Sequence, residues 1–80
     1  MRRPVPRTLL RGDTPVEEQL AWLTRVPGGV RLSQVDVIRD GSTKTRWVAE
    51  AGGVGGWGTA LCEALHSLLT ELSLLDRAVG

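Results

Sequence analysis

Two side chains that could do chemistry together, a thiol and an imidazole, stand one helical turn apart in the last third of the chain. Cys62 and His66 are four residues apart, so on an α-helix they share one face. Metal sites and Cys-His nucleophile pairs both use this spacing. Either site needs further groups, and the chain has one cysteine and one histidine. We therefore expect a small buried thiol beside a half-exposed histidine, and no enzyme, metal site or cofactor.

A glycine-rich segment, Gly52–Gly58, leads directly into a helical pattern and could bind phosphate. Free N–H groups and the positive end of the helix dipole meet at such a junction. The lysine and hydroxyl residue that complete a phosphate-binding loop are missing, and Thr59 is expected to cap the helix. The segment is therefore interpreted as a connector, in which a short third strand is possible. Trp57 is expected to fill the core beneath it; the alternative is an exposed contact residue of the loop.

Arginines are concentrated at the start of the chain, which makes this segment a candidate contact for nucleic acid. The first eleven residues carry a charge of +4 without an acid, whereas six basic and nine acidic residues follow. Residues 1–12 are interpreted as a flexible basic arm, since two prolines interrupt regular hydrogen bonding. The preferred interpretation is an ordinary solvated leader, and the alternative is an arm that grips nucleic-acid phosphates without reading bases. The four candidate contacts are Arg2, Arg3, Arg7 and Arg11.

Length and composition limit the classes of protein that remain. Eighty residues form one small domain, 13–80 after the arm, which buries only about 60–65 % of its unfolded surface. A single cysteine excludes an internal disulfide, so self-association is the remaining source of extra stability. No apolar run has the length of a signal peptide or a membrane span. A cytoplasmic protein that does not contact membranes is therefore expected.

The strongest structural pattern lies in residues 59–75, where leucines recur at intervals of three and four. This spacing predicts an α-helix with a broad apolar face. We expect the face to exceed what one chain can cover, and therefore to serve as a dimer or partner interface as well as core. Its candidate interface residues are Leu61, Leu65, Leu68, Leu69, Leu72 and Leu75.

A shorter helix is predicted after residue 13, beginning at a capping signal. Thr14 is placed to cap, Pro15 occupies the first helical position, and Glu17 completes a capping box. Val16, Leu20 and Leu23 share one face, and the Pro-Gly-Gly sequence at residues 27–29 ends the helix after about three turns. A helix this short must dock on another element.

From Val30 onward the pattern alternates with a period of two, and the residues around Asp40 and Gly41 predict the turn of a β-hairpin. A two-residue turn would set Val35 and Val37 beside Lys44 and Arg46. A three-residue loop with a bulge at Gly41 instead sets the valines beside Trp47 and Ala49, and is preferred. A nucleic-acid surface would need arginines interleaved with exposed rings on one face; the preferred register separates Lys44 and Arg46 from Trp47.

The sequence of residues 46–65 resembles the second strand, loop and helix start of HicB-like antitoxin domains. Gly58, Glu63, Ala64 and Leu65 fall at the spacing of the Gly-x-Thr-x-x-Glu-Ala-Leu helix entrance. Alanine stands where the family has threonine, and the family's Pro-x-Leu-Pro-Gly segment is absent. The resemblance implies a small sheet backed by a helix, dimerisation and a protein partner.

Together these patterns predict an α+β domain in the order helix, strand, strand, helix. Val35, Val37, Trp47 and Ala49 are expected to pack the hairpin against the long helix. We expect a homodimer that buries part of that helix or joins hairpin edges. The leading functional hypothesis is a non-enzymatic protein-interaction or regulatory module, and the alternative is a nucleic-acid-binding accessory protein that uses its basic arm.

Overall fold

A three-stranded antiparallel sheet backed by the C-terminal helix forms the architecture, and the α+β prediction is confirmed. The computed structural model describes residues 4–79 of the chain. The strands lie in the order β1-β2-β3 within the sheet, and the third strand is present. The elements are a 3₁₀ turn Arg7–Leu10, α1 Val16–Leu23, β1 Arg31–Arg39, β2 Ser42–Ala51, β3 Val54–Gly58 and α2 Leu61–Val79.

Helix α1 begins at Val16, one residue after the predicted first position at Pro15, and the predicted cap at Thr14 is wrong. The Thr14 hydroxyl donates to the carbonyls of Thr8, at 2.7 Å, and Arg11, at 3.1 Å. Thr14 is buried and ties the 3₁₀ turn to the start of α1, while Pro15 takes the capping position without a side-chain hydrogen bond. Thr14 therefore holds the preceding segment, which folds back onto the domain, and does not cap the helix.

The hairpin has the two-residue turn, so the preferred three-residue loop is wrong. Arg39 pairs with Ser42, and Asp40 and Gly41 both have positive φ, 50° and 76°. Two left-handed residues define the type I′ turn that Asp-Gly favours, whose twist matches that of the strands. Val35 therefore lies opposite Arg46, as Val37 lies opposite Lys44, and both valines face away from α2.

Helix α2 lies directly on the backbone of β3. A Cβ added at Gly56 would stand 2.7 Å from the Ser67 carbonyl carbon and 2.8 Å from the Ala64 oxygen, and one at Gly58 would stand 2.9 Å from the Ala64 nitrogen. No side chain fits at either glycine, so the helix and the strand touch without a layer between them. The glycines that looked like a loosely turning connector are therefore a packing surface.

The core lies around α2, where small residues of the sheet and large residues of the N-terminal half meet. Ala49 and Ala51 of β2 are buried beneath the helix, and Leu23 and Val26 close its other side. Trp47 packs at the margin, as expected. Four leucines of α2 are fully buried within the single chain: Leu65, Leu68, Leu69 and Leu72.

The start of α2 is held by a hydrogen-bonded pair that differs from the predicted cap. The Thr59 hydroxyl and backbone N–H both donate to Oε2 of Glu63, at 2.8 and 3.1 Å. Thr59 is therefore a donor to Glu63, one residue too early to cap the helix by accepting. The hydroxyl bond, followed by the backbone bond, lowers the pKa of Glu63 from its ordinary value of 4.5.

No helix within residues 4–79 combines the length and the apolar character needed to cross a membrane.

Replacing Gly56 by alanine should destabilise the domain strongly. The added methyl group meets helix backbone, which cannot rotate away, so we expect a loss of at least about 3 kcal/mol, the upper end of overpacking effects. Gly55→Ala is the matched control, because its Cβ would meet only ordinary contacts at 3.5 Å. Urea unfolding followed by circular dichroism measures both; equal losses in the two variants would contradict the contact.

Glu63 should contribute stability that disappears in acid. Because its pKa is lowered in the folded state, the contribution is fully present above the unfolded pKa and is lost as pH falls through the folded one. Glu63→Gln should therefore show a smaller drop in unfolding free energy between about pH 6 and pH 3 than the parent protein. Thr59→Ala, which removes the hydroxyl that donates to Oε2 of Glu63, should reduce the drop in the same direction.

Candidate functional site

The side of the sheet that faces away from α2, here called the outer face, combines apolar side chains with cations. The register and the strand alternation place odd-numbered residues of β1 and β3 and even-numbered residues of β2 on it. Its apolar members are valines and a tryptophan, and its charged members are four cations and one carboxylate. They are Val35, Val37, Val48 and Trp57, with Arg31, Arg39, Lys44, Arg46 and Glu50.

Trp57 lies on the outer face and is 58 % exposed, so the expected core plug is wrong. The neighbouring residues Gly56 and Gly58 are the ones that face the helix, and alternation turns Trp57 outward. The guanidinium carbon of Arg46 stands 4.6 Å from the centroid of the indole, within the range of a cation–π interaction. A large ring is therefore held in place at the surface by a cation instead of by the core.

A shallow apolar depression of about 300 Å³ lies next to this pair. Val35 and Val48 contribute to its lining with Trp57 and Arg46, and Val35 is 46 % exposed. Valine is common in strands, but on a solvated face it exposes apolar surface that nothing in the described chain covers. The depression therefore combines an apolar floor with a cation and an aromatic ring, a composition typical of binding surfaces.

The outer face is electrically distinct from the remainder of the domain. It carries four cations against Glu50, while the helices carry most of the carboxylates. Glu17 and Glu18 lie on α1 and Glu63 and Glu71 lie on α2. A net charge of only +1 therefore conceals a polarised molecule, whose outer face attracts anions.

The described part of the predicted arm, residues 4–12, is docked on the domain, which corrects the view of it as a free arm. Val5 and Leu9 belong to the buried core, and the carbonyl of Leu10 stands 2.8 Å from Nε2 of His66. The side chains of Val5 and Leu9, which lie between the arginines in the sequence, anchor the segment. Arg7 and Arg11 remain exposed, whereas Arg2 and Arg3 lie outside the described residues.

His66 is hydrogen-bonded to the N-terminal segment, whereas the Cys62 thiol is exposed. His66 is half-buried, as expected, and Nε2 faces the Leu10 carbonyl, so this nitrogen carries the proton and acts as the donor. Cys62 is exposed, not buried as expected. Within the described residues no three His, Cys, Asp or Glu side chains come together to hold a metal ion.

The leucines of α2 do not provide the predicted interface as a set. Leu65, Leu68, Leu69 and Leu72 are inaccessible, because α1, the N-terminal segment and the glycine strand cover them within one chain. Leu61 is partly buried, whereas Leu75 and its neighbour Leu74 are 38 % and 50 % exposed. Only the ends of the leucine face remain available for contact.

The outer face was missed at the sequence level because the wrong turn length was preferred. With the two-residue Asp40-Gly41 turn, Lys44 and Arg46 fall on the same face as Val35 and Val37. The positive φ preference of Asp-Gly was the available signal. The outward position of Trp57 follows from the contact of Gly56 with α2. No local sequence pattern predicts that contact.

Comparison with protein-family models, with curated proteins and with solved structures gave no match for this chain. The resemblance to HicB-like antitoxin domains therefore stays a prediction.

Truncating Leu9 should show that the docked segment contributes to stability. Leu9 is 6 % exposed, and Leu9→Ala should cost about 2–4 kcal/mol through lost burial and a residual cavity. Arg7→Ala, two residues earlier and exposed, should change the unfolding free energy by less than about 0.5 kcal/mol. Chemical denaturation of both variants measures this; a neutral Leu9→Ala would show that the segment is not anchored.

Proposed function

We propose that this protein is a non-enzymatic binding module that holds a single-stranded nucleic acid on the outer face of its sheet. The observation that carries the proposal is the exposed Trp57 ring with Arg46 stacked on it, among three further cations on the same face. This differs from the sequence-based alternative in its location, because the sheet and not the basic arm supplies the surface.

Stacking is the first contribution. Trp57 is 58 % exposed, so the part of the indole that Arg46 leaves uncovered can stack on a base, and base–aromatic stacking contributes about 1–3 kcal/mol per base without selecting sequence. Arg46 covers the ring at 4.6 Å, and a guanidinium can stay beside the indole while it contacts a phosphate. The ring and the cation therefore act together on one nucleotide.

Phosphate attraction is the second contribution. Arg31, Arg39, Lys44 and Arg46 follow two neighbouring strands, and β1, at nine residues, spans about 30 Å at the usual rise per residue. A single strand laid along this length meets several cations in turn. Because four contacts are few, the expected affinity is modest, and its dependence on salt is limited to the few counterions that these contacts release.

A protein partner is the second candidate, and the apolar depression beside Trp57 favours it. Trp and Arg are the side chains that most often dominate protein interfaces, and the cations would select an acidic segment. The HicB-like resemblance implies a protein partner as well.

In either case the exposed Cys62, which has no second cysteine in the chain, suits a reducing, cytoplasmic setting.

Titration of a fluorescein-labelled oligonucleotide of about 12 nucleotides, within the site sizes of single-strand binders, tests the proposal. We expect binding of oligo-dT and oligo-U with a log K against log salt slope of about −2 to −3 for three or four phosphates. Trp57→Ala should weaken binding about 5- to 150-fold, the equivalent of one stacked base. Lys44→Gln should reduce the slope by about 0.7.

The matched control is Arg77→Gln, which removes an exposed cation from the last turn of α2, away from the sheet. It should leave the affinity and the slope unchanged. Equal effects of Arg77→Gln and Lys44→Gln would indicate attraction by net charge alone. No binding at low salt would dismiss the nucleic acid and leave the acidic protein segment as the candidate ligand.

A further inference from the structure

Strand β1 has one edge without a partner among the described residues. It pairs with β2 along all nine residues, and eight of those nine are exposed. Arg39 and Ser42 close a two-residue turn and so exchange hydrogen bonds, which means that odd-numbered residues bond to β2. The backbone N–H groups of Leu32, Gln34, Asp36 and Ile38 therefore point away from the sheet.

This edge lacks most of the features that prevent strands from pairing with other chains. It contains no proline and no lysine, and its register with β2 runs without a bulge. Natural edge strands are usually short, bulged or interrupted by such residues. The opposite edge, β3, is protected by its length of five residues and its glycines. Among the described strands, the unprotected edges are therefore β1 along its whole length and the short stretch 42–46 of β2 that β3 does not reach.

The sequence of β1 is complementary to itself when a second copy runs antiparallel with Val35 at the centre. Ile38, 77 % exposed, then lies beside Leu32 of the other copy, 37 % exposed, and Gln34 lies beside Asp36. Val35 meets its own copy. The cost is one like-charged pair at each end, Arg31 beside Arg39, where solvent screens the repulsion.

We propose that two copies of this chain associate along β1 in this register and form a continuous six-stranded sheet. A second copy is the occupant that the edge selects, because pairing satisfies the four outward N–H groups and covers the exposed Ile38. The two-fold axis passes through Val35 perpendicular to the sheet, so both outer faces lie on one side. The dimer does not depend on what the outer face binds.

Two-fold pairing also fits the shape of the hairpin. Strand β3 reaches only Trp47 to Ala51 of β2, so the distal part of the hairpin is a two-stranded ribbon. A ribbon of two strands is marginally stable in water. When a partner strand pairs along β1, the two hairpins become the four central strands of a larger sheet. This explains how the exposed Val35 and Ile38 are tolerated.

Sedimentation equilibrium of the full chain and of proline variants tests the association. The parent protein should be dimeric at about 10–100 µM. Asp36→Pro removes an outward N–H and no backbone bond to β2, so it should be monomeric with an unchanged circular dichroism spectrum. It also loses the exposed bond from the Thr45 hydroxyl to Asp36 Oδ1, which the control Asp36→Thr loses as well. Asp36→Thr, which keeps the N–H, should remain a dimer. A monomeric parent protein, or a dimer that survives Asp36→Pro, would overturn the proposal.

Disulfide trapping tests the register and keeps the proposal falsifiable if the proline variant unfolds. In a Cys62→Ser background, Val35→Cys should form a cross-linked dimer on mild oxidation, since directly opposed residues that exchange no hydrogen bonds bring their Cβ atoms closest. Val37→Cys should not cross-link with itself but should do so with Ser33→Cys. If the dimer is instead lost on Leu75→Lys, the exposed end of α2 is the interface and the proposal fails.

Discussion

The close contact between α2 and β3 is the constraint on which the other features depend. Because Gly56 and Gly58 have no side chains, the helix lies on the strand backbone, and the leucines of α2 are free to point sideways into the N-terminal half of the chain. There they meet Leu23, Val26 and Leu9. A bulkier strand would lift the helix and leave these residues without a partner. The same alternation that turns the glycines inward turns Trp57 outward, so one contact sets both the core and the composition of the outer face.

The face of the sheet beneath α2 supplies the packing that stabilises the domain, whereas the outer face contributes little to it. Alanines and glycines beneath α2 satisfy the packing, and they leave no room for a functional group. Valines, cations and the indole on the outer face add little to the folding of a single chain. A domain of eighty residues has a small surplus of stability, and in this domain that stability comes mainly from the core around α2. Charge is divided in the same way, with carboxylates on the helices and cations on the sheet.

The sequence was informative wherever periodicity or a local turn decided the structure. The leucine spacing located α2, the alternation located the hairpin, and Val16, Leu20 and Leu23 were correctly assigned to one face. The hairpin register followed from Asp40 and Gly41 and was misjudged by one residue, which moved Val35 and Val37 to the wrong face. The docking of Val5 and Leu9, the burial of Thr14 and the outward Trp57 depend on contacts between distant segments. No local pattern encodes them, which is why the outer face could not be recognised before the fold.

The position of Val5 has a consequence for how the chain folds as it is made. Its backbone N–H donates to Asp76, seventy-one residues later, and the first buried residues pack on α2. All partners of α2 therefore leave the ribosome before α2 does, and the N-terminal segment and the core alanines of β2, Ala49 and Ala51, stay uncovered in the meantime. Folding of this domain is completed only when its last helix emerges, so the nascent chain passes through an interval in which its apolar residues are accessible to chaperones.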